Sequence, residues 1–206
     1  MFPVIAQRCE ALVSQLHEIP AERREQLHSL AAYIQAQQSK SVPVQLQFIC
    51  THNSRRSHLA QVWAAVAAAW YQVQDVHTFS GGTEVTAFHP HAIKALQAAG
   101  FAVEATTAAP NPVYQVYFGA IQSVTCFSKM YNHPSNSTAG FAAVMTCSEA
   151  EQNCPLIPGA ELRLALPYHD PKAWDGTVLQ DEKYTERSNQ VAMECLYLFS
   201  VVAASL

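Results

Sequence analysis

Cys50 and Arg56 stand six positions apart in the segment Cys-Thr-His-Asn-Ser-Arg-Arg-Ser, a spacing that suits the binding of a tetrahedral oxyanion. Between them the backbone can curl so that successive N–H groups point at one anion. A helix predicted after the loop would add the positive end of its dipole. The planar guanidinium of Arg56 can bind two oxygens of the anion. The same field stabilises a thiolate at Cys50, to whose sulfur Ser57 can donate a hydrogen bond, and Asn53 can brace the loop. The sequence therefore predicts that Cys50 attacks a bound oxyanion.

Asp170 is the predicted proton donor for this chemistry. A thiolate that displaces an oxygen needs a general acid for the leaving group. Asp170 precedes Pro171, and a proline restricts the residue before it to extended geometry, which would hold the carboxyl in one direction. An isolated Asp-Pro is typical of a turn. Because Cys50 already predicts a nucleophilic site, we favour the general acid, with Asp175, interpreted as a helix-start residue, as the alternative.

The loop that begins at Cys50 resembles the phosphate-binding loop of low-molecular-weight tyrosine phosphatases and of the thioredoxin-coupled arsenate reductases that share their fold. The run from Phe79 to Phe101, with Ser-Gly-Gly-Thr at 80–83, resembles the second strand and helix of that superfamily. The resemblance covers residues 44–206 and implies one catalytic domain there, with Asp170 as the acid. It also implies that the loop residues bind the oxyanion, namely Thr51, His52, Asn53, Ser54, Arg55, Arg56 and Ser57. Arg55 is a departure, because many relatives carry a second cysteine there.

Two further cysteines distinguish the reductases from the phosphatases. Cys147 follows a predicted buried strand, as Cys50 does, so both thiols should lie at the carboxyl edge of neighbouring strands. Cys154 follows seven residues later and precedes Pro155. This pair resembles the resolving cysteines of the thioredoxin-coupled arsenate reductases. The resemblance implies a disulfide relay through Cys147 and Cys154, reduced by thioredoxin or a similar dithiol protein, without a bound cofactor. The alternative is two unrelated thiols in a short helix.

A helix between these cysteines would couple their oxidation to a conformational change. Seven residues of helix span about 10.5 Å, whereas a disulfide needs Cα atoms within roughly 7 Å. If residues 148–153 are helical in the reduced protein, Cys147 and Cys154 can bond only after that helix unwinds.

The sequence thus favours a thiol-dependent arsenate reductase, and two alternatives stay open. A low-molecular-weight protein tyrosine phosphatase would use Cys50, Arg56 and Asp170 alone. Such phosphatases commonly place tyrosines after Asp-Pro, whereas Lys172 and Ala173 stand here, followed by Trp174 as a partial substitute. A non-catalytic oxyanion or redox sensor is less favoured, since anion binding alone needs neither a thiolate nor an acid.

Alternating strand and helix patterns predict the elements that position these residues. They indicate an α/β fold of three layers around a four-stranded parallel sheet. The predicted strands are 44–50, 76–82, 141–146 and 162–167, with a short hairpin at 114–118 and 123–128. The predicted helices are 58–72, 89–99 and 181–200.

Residues 1–40 are predicted to form a helical hairpin that extends the catalytic domain. Apolar residues recur at helical spacing, and Pro20 suits the first turn of a second helix. These residues are Phe2, Ile5, Cys9, Leu12, Val13, Leu16, Leu27, Leu30, Ala31 and Ile34. Packing against the main domain is favoured over a dimerisation surface.

Composition restricts the partners. A net charge of -4 and a pI near 6.1 provide no basic field for nucleic acid or anionic membranes. The amino terminus lacks the order of a signal peptide, and the longest apolar run, Val62–Trp70, is too short to span a bilayer, so we expect a cytoplasmic protein. Cysteines are then thiols, and Cys9, Cys126 and Cys195 are interpreted as core residues.

Three further features carry weaker interpretations. No cysteine spacing predicts a zinc site, and His89-Pro-His91 offers two ligands without a third, so no metal is expected. His52 could act on the thiolate or point outward. Residues 111–135 are not matched to the short forms of the arsenate reductases or of the tyrosine phosphatases. Three aromatic side chains in this stretch, Tyr117, Phe118 and Tyr131, could rim the pocket.

Overall fold

The computed structural model describes residues 1–154 and 156–205. Pro155 and Leu206, which the resemblance included, lie outside the described residues. The helices are α1 Pro3–Val13, α2 Ala21–Ser39, α3 Arg56–Trp70, α4 Pro90–Ala98, α5 Ser148–Asn153 and α6 Gln180–Ala203. The strands are β1 Val44–Cys50, β2 Val76–Gly82, β3 Ala102–Ala105, β4 Tyr114–Tyr117, β5 Ser123–Cys126, β6 Phe141–Met145 and β7 Ala160–Ala165. Short 3₁₀ turns cover Leu16–Glu18 and Pro171–Trp174.

Four strands form a parallel sheet in the order β2-β1-β6-β7, with helices flanking it. This confirms the predicted α/β fold. The central strands β1 and β6 are buried almost throughout, as expected for strands covered on both faces. Cys50 pairs with Gly82, and Ile49 pairs with Met145. The carboxyl ends of β1, β2 and β6 therefore meet at one edge of the sheet.

A second sheet was predicted only in part. β4 and β5 form the expected antiparallel hairpin, but β3 adds to its other side in the order β3-β4-β5. The sequence Ala-Val-Glu-Ala of β3 gave no buried-strand signal because three of its four residues are exposed. Between this sheet and β6 the chain returns to β2, where Gly82 forms a parallel bridge with Met130. The inserted segment therefore ends beside the carboxyl edge of the main sheet.

Helix α6 is the element on which most other helices pack, namely α1, α2, α3 and α4. Trp63 of α3 is fully buried and donates its indole N–H to Ser188 of α6 at 2.9 Å. Helix α3 begins at Arg56, two residues before the predicted start, because the loop leads directly into its first turn. Helix α4 ends one residue before the prediction, with Gly100 in the left-handed region at φ 104°.

The two amino-terminal helices pack within the same chain. The apolar face of α1 buries Ile5, Cys9 and Leu12, and that of α2 buries Leu27, Leu30, Ala31 and Ile34. Arg23 of α2 forms a 2.8 Å ion pair with Glu194 of α6. The side chains that the sequence offered as a dimerisation surface therefore contribute to the core of the single chain. Among the described helices, none is long and apolar enough to cross a membrane.

Candidate active site

The Cys50 sulfur lies at the bottom of a small pocket at the carboxyl edge of the sheet. The pocket is lined by Cys50, His52, Ser54, Arg55, Arg56 and Asp170. The residue is only 3% exposed, and its Sγ lies 3.1 Å from the Ser57 hydroxyl, as the sequence predicted. The first turn of α3 begins at Arg56, so the positive end of this 15-residue helix is directed at the same pocket. A thiolate at this position is stabilised by a hydroxyl and by the helix dipole.

Asn53 braces the loop from behind. It is fully buried, with a φ of 44° that asparagine tolerates better than most residues, and its amide donates to the Ser57 hydroxyl at 2.9 Å. Its side-chain oxygen accepts a 2.9 Å hydrogen bond from the backbone N–H of Lys129. Cys50, Ser57, Asn53 and Lys129 therefore form one hydrogen-bonded chain that runs from the nucleophile into the inserted segment.

Gly82 at the end of β2 leaves the space that this loop occupies. A Cβ at position 82 would lie 2.7 Å from the Thr51 carbonyl oxygen and 2.8 Å from the Asn53 nitrogen, which are sub-van der Waals contacts. The Gly82 N–H donates to the Lys129 carbonyl at 2.8 Å. Close backbone packing under the loop thus explains Gly82, the second glycine at the exit of β2.

Arg56 is fixed across the mouth of the pocket. Its Nη2 donates to Asp170 Oδ2 at 2.7 Å, and its Nη1 donates to the Tyr168 carbonyl at 3.1 Å. The carboxylate also accepts the backbone N–H of Lys172, which holds the start of the Pro171–Trp174 turn. The structure therefore brings together the three residues that the sequence singled out, Cys50, Arg56 and Asp170.

The guanidinium of Arg55 lines the pocket rim but is anchored away from its floor. Its Nε donates to Tyr184 at 2.6 Å, and its Nη2 donates to Asp175 at 3.2 Å. Tyr184 donates to the same carboxylate at 2.8 Å. Asp175 was predicted to start a helix, but α6 begins at Gln180, and the carboxylate instead binds this arginine. Arg55 thereby links the anion loop to the segment that carries Asp170.

The other loop side chains are held by neighbouring segments. Thr51 donates to Glu149 at 2.9 Å, and the Ser54 hydroxyl donates to the Ala87 carbonyl at 2.7 Å. His52 points outward, since its Nε2 lies 3.2 Å from Glu84 and its side chain is 41% exposed. Of the two interpretations of His52, the geometry therefore favours the outward one.

Cys147 lies beside the anion loop, at the carboxyl end of β6. The Thr146 N–H donates to the Ile49 carbonyl at 2.7 Å, so the chain after β6 stays in register with β1 up to the two cysteines. Cys147 is 1% exposed, and its Sγ lies 3.4 Å from the Thr51 hydroxyl, one residue after Cys50. Both thiols belong to one buried cluster.

Cys154 is separated from Cys147 by a complete helix. Helix α5 covers Ser148–Asn153, with Cys147 as its N-cap and Cys154 as its C-cap. The half-buried Cys154 contacts the same cluster from the far end of α5. The helix that the relay hypothesis required in the reduced protein is present.

Several predicted contributors lie elsewhere, and one contributor was missed. Tyr131 packs against the cluster that contains Cys50 and Cys147. Tyr117 ends β4 of the second sheet, Phe118 follows it, and neither lines the pocket. Lys129, which braces Asn53 through its backbone, lies in the stretch 111–135 that was not matched to the short forms of either enzyme, so no sequence signal indicated it.

The His89 ring stacks on Tyr184, the His91 ring meets the same tyrosine edge-on, and the His89 backbone helps to hold the loop. The backbone N–H of His89 donates to the Ser54 carbonyl at 2.9 Å. The Nε2 atom of Gln180 lies 3.1 Å from His91 Nδ1. Burial and the neighbouring Arg55 lower the pKa of His89. Within residues 1–154 and 156–205, no group of three or more His, Cys, Asp or Glu side chains could hold a metal ion.

Sequence comparison finds arsenate reductases among the relatives, although no family model matches the chain. The chain is 29% identical over 132 residues to arsenate reductase 2 of Staphylococcus epidermidis, a match that spans 63% of this chain and 81% of the relative. It is 26% identical over 139 residues to the arsenate reductase of Bacillus subtilis, spanning 68% of this chain and 81% of that protein.

Structural comparison shows the same fold in phosphatases. A low-molecular-weight phosphotyrosine phosphatase from Vibrio cholerae superposes with a TM-score of 0.52 at 13% identity, covering 76% of this chain and 95% of that one. A Drosophila arginine phosphatase superposes with a TM-score of 0.51 at 12% identity, covering 76% and 96%. The parallel sheet and the loop at its carboxyl edge give the chain the fold of the low-molecular-weight protein tyrosine phosphatases, its sequence relatives are arsenate reductases, and the chain is an enzyme with that fold.

Proposed function

We propose that this chain is a thiol-dependent arsenate reductase in which Cys50 is the nucleophile and Cys147 and Cys154 form a disulfide relay. The observation that carries the proposal is the position of Cys147. It lies beside the anion loop, with its sulfur 3.4 Å from the hydroxyl of the residue that follows Cys50, and α5 connects it to a third thiol. Phosphoester hydrolysis needs neither of these additional thiols. The similarity to staphylococcal and Bacillus arsenate reductases supports the same function.

The first step forms a bond between sulfur and arsenic. Arsenate binds in the loop of residues 51–57, where backbone N–H groups and Arg56 hold its oxygens. The Cys50 thiolate attacks arsenic(V), and one oxygen leaves as water after Asp170 gives it a proton. Arg56 and Asp170 are already 2.7 Å apart, so an oxyanion bound by the guanidinium also lies within reach of the acid.

The next steps transfer two electrons and regenerate Cys50. The Cys147 thiolate attacks the Cys50 sulfur, the sulfur–arsenic bond breaks, and its electron pair reduces arsenic(V) to arsenite. The Cys154 thiolate then attacks the Cys147 sulfur, which forms the Cys147–Cys154 disulfide and releases Cys50 as a thiolate. An external dithiol returns the disulfide to two thiols.

The relatives support a thiol reductant, and thioredoxin is the partner that we propose. A thioredoxin-type protein exchanges disulfides through its own pair of cysteines. Such chemistry belongs in a reducing compartment, so we propose a cytoplasmic location. If two copies associate through α1 and α2, they would use side chains outside the core, such as Val4, which is 56% exposed.

The test is arsenate turnover with a thioredoxin recycling system on wild type, Cys147→Ser and Cys154→Ser. The proposal requires wild type to turn over repeatedly and both variants to stop after at most one turnover. Cys195→Ser is the matched control, because that thiol is buried on α6 and has no role in the relay. If both relay variants keep full activity, or if wild type hydrolyses para-nitrophenyl phosphate efficiently while arsenate is not reduced, the chain is a phosphatase that uses Cys50, Arg56 and Asp170.

A further inference from the structure

Helix α5 is too short to be stable by itself. It has six residues, whereas isolated helices below about 12 to 15 residues are marginal in water. Its amino-terminal end is supported by Cys147, whose sulfur accepts the Ala150 N–H at 3.4 Å, and by the full burial of Ala150. The carboxyl-terminal end needs a separate partner for its free carbonyl groups.

Arg163 of β7 provides that partner. Its Nε donates to the Cys154 carbonyl at 3.0 Å, and its Nη2 donates to the Glu151 carbonyl. Its Nη1 forms a 2.9 Å ion pair with the Glu151 carboxylate. All three nitrogens of one guanidinium therefore bind the last turn of α5. A planar fork can do this only while these acceptors keep their helical positions.

The proposed relay requires α5 to lose those positions. The seven-residue separation of Cys147 and Cys154 spans about 10.5 Å in a helix, and a disulfide needs their Cα atoms within roughly 7 Å. The contact of the Ala150 N–H with the Cys147 sulfur is likewise part of the helical arrangement and is lost when α5 opens. Opening of α5 therefore breaks the support at both of its ends, and Arg163 holds the end that carries Cys154.

We propose that Arg163, acting through Glu151 and the Cys154 carbonyl, is a positioning residue that sets the free energy of α5 opening and thereby the reduction potential of the Cys147–Cys154 pair. This inference rests on the relay of the proposed function. In the step concerned, the Cys154 thiolate attacks Cys147 in the Cys50–Cys147 disulfide, the new sulfur–sulfur bond forms, and Cys50 leaves as a thiolate. The step moves no net electrons, and the later reduction takes two from a dithiol protein.

The direction of the effect follows from which state Arg163 stabilises. Its three hydrogen bonds favour the helical dithiol form. Removing them destabilises the dithiol relative to the disulfide, so the reduction potential becomes more negative and the resolving step becomes faster. Hydrogen bonds to charged groups are strong enough that a shift of at least about tenfold in the dithiol–disulfide equilibrium is expected.

The test compares Arg163→Gln with the native residue in the full chain carrying Cys50→Ala, so that Cys147 and Cys154 react only with each other. Both proteins are equilibrated in dithiothreitol buffers, quenched by alkylation, and the peptide that contains the pair is quantified by mass spectrometry. We expect a shift of at least about tenfold toward the disulfide, or about 30 mV more negative. Amide exchange in α5 of the reduced variant should accelerate by a similar factor. A shift below threefold, or one toward the dithiol, overturns the proposal.

Three further variants distinguish the loss of the Arg163 contacts to α5 from a general destabilisation of the protein. Glu151→Gln keeps both carbonyl contacts and should shift the equilibrium in the same direction by a smaller factor, so it tests the proposal even if Arg163→Gln folds poorly. Arg163→Lys should fall between wild type and Arg163→Gln, because a lysine keeps the charge but cannot span three acceptors. Arg8→Gln is the control: Arg8 joins α1 to Asn189 of α6 and to the Ala98 carbonyl, and its loss should leave the potential unchanged. Since the assay contains no arsenate, a failed arsenate assay does not affect its outcome.

Discussion

The guanidinium of Arg56 donates to the carboxylate of Asp170 at 2.7 Å across the pocket that contains the Cys50 sulfur. The group that would hold an oxyanion and the group that would protonate its leaving oxygen are thus in direct contact. The Arg56 side chain is 11% exposed and that of Asp170 is 32% exposed, so the acid stands on the solvent side of the pair.

Asp170→Asn tests the acid. Asparagine keeps the shape and can still accept the Lys172 N–H, but it cannot supply a proton. We expect kcat/KM for arsenate to fall by about 10² to 10⁴, the range typical of a lost general acid. Asp181→Asn is the control, because Asp181 is an exposed carboxylate paired with Lys94 and lies on α6. A decrease below tenfold in Asp170→Asn would remove this residue from the proposed chemistry.

Ser57→Ala tests the hydrogen bond to the nucleophile. The serine hydroxyl lies 3.1 Å from the Cys50 sulfur, and its loss should leave the thiolate less stabilised, so we expect alkylation of Cys50 by iodoacetamide at pH 7 to slow by about tenfold.

Two cysteines of the core serve as internal controls in that alkylation experiment. Burial raises the pKa of Cys9 and of Cys126 to about 12, so neither should react in the native protein. Unchanged labelling of Cys50 in Ser57→Ala, or labelling of Cys126 at a comparable rate, would contradict the description of the loop.

Lys129→Met tests whether burial of the Lys129 ammonium group beside the loop lowers the stability of the protein. Lys129 is 4% exposed, and burial lowers its pKa from 10.5 to about 8. Between pH 8 and 10.5 this lysine is therefore more protonated in the unfolded chain than in the folded one. The free energy of unfolding of wild type then increases as the pH rises through this range. Below pH 8 the charged form carries a penalty of roughly 3 kcal/mol, which methionine avoids.

Urea unfolding of wild type and Lys129→Met at pH 7 and pH 10 measures this effect. We expect the variant to be more stable at pH 7 by up to roughly 3 kcal/mol, and the difference to shrink by most of that amount at pH 10. Lys94→Met, at an exposed ion pair, controls for the loss of one charge. A difference between wild type and Lys129→Met that does not change with pH would show that the lysine is not desolvated.

The main sheet and the loop could be predicted because their signals are local. A buried strand that ends in Cys50, followed by a polar loop and an alanine-rich helix, specifies its own geometry. Strand Val44–Cys50 and strand Val76–Gly82 have the predicted bounds, and α5 has the bounds on which the relay hypothesis depended. Parallel pairing then places Cys50 and Cys147 at the same edge.

The remaining contacts depend on tertiary structure that short-range patterns do not encode. Arg163 and Lys129 act on residues nine or more positions away, and Arg55 binds Tyr184 of α6 across 129 positions. Strand Ala102–Ala105 is mostly exposed, so it lacked the apolar alternation that a pattern can detect. Asp175 was misinterpreted because its partner, Arg55, is distant in sequence.

The most direct test of the relay is to trap its first disulfide in Cys154→Ser. Without Cys154 the reaction should stop after Cys147 has attacked Cys50. Reduced Cys154→Ser is incubated with arsenate, quenched in acid and digested, and arsenite is quantified in parallel. We predict one arsenite per protein and a Cys50–Cys147 disulfide that does not form when phosphate replaces arsenate. Release of arsenite without that disulfide, or no arsenate-dependent oxidation of either cysteine, would contradict the proposed mechanism.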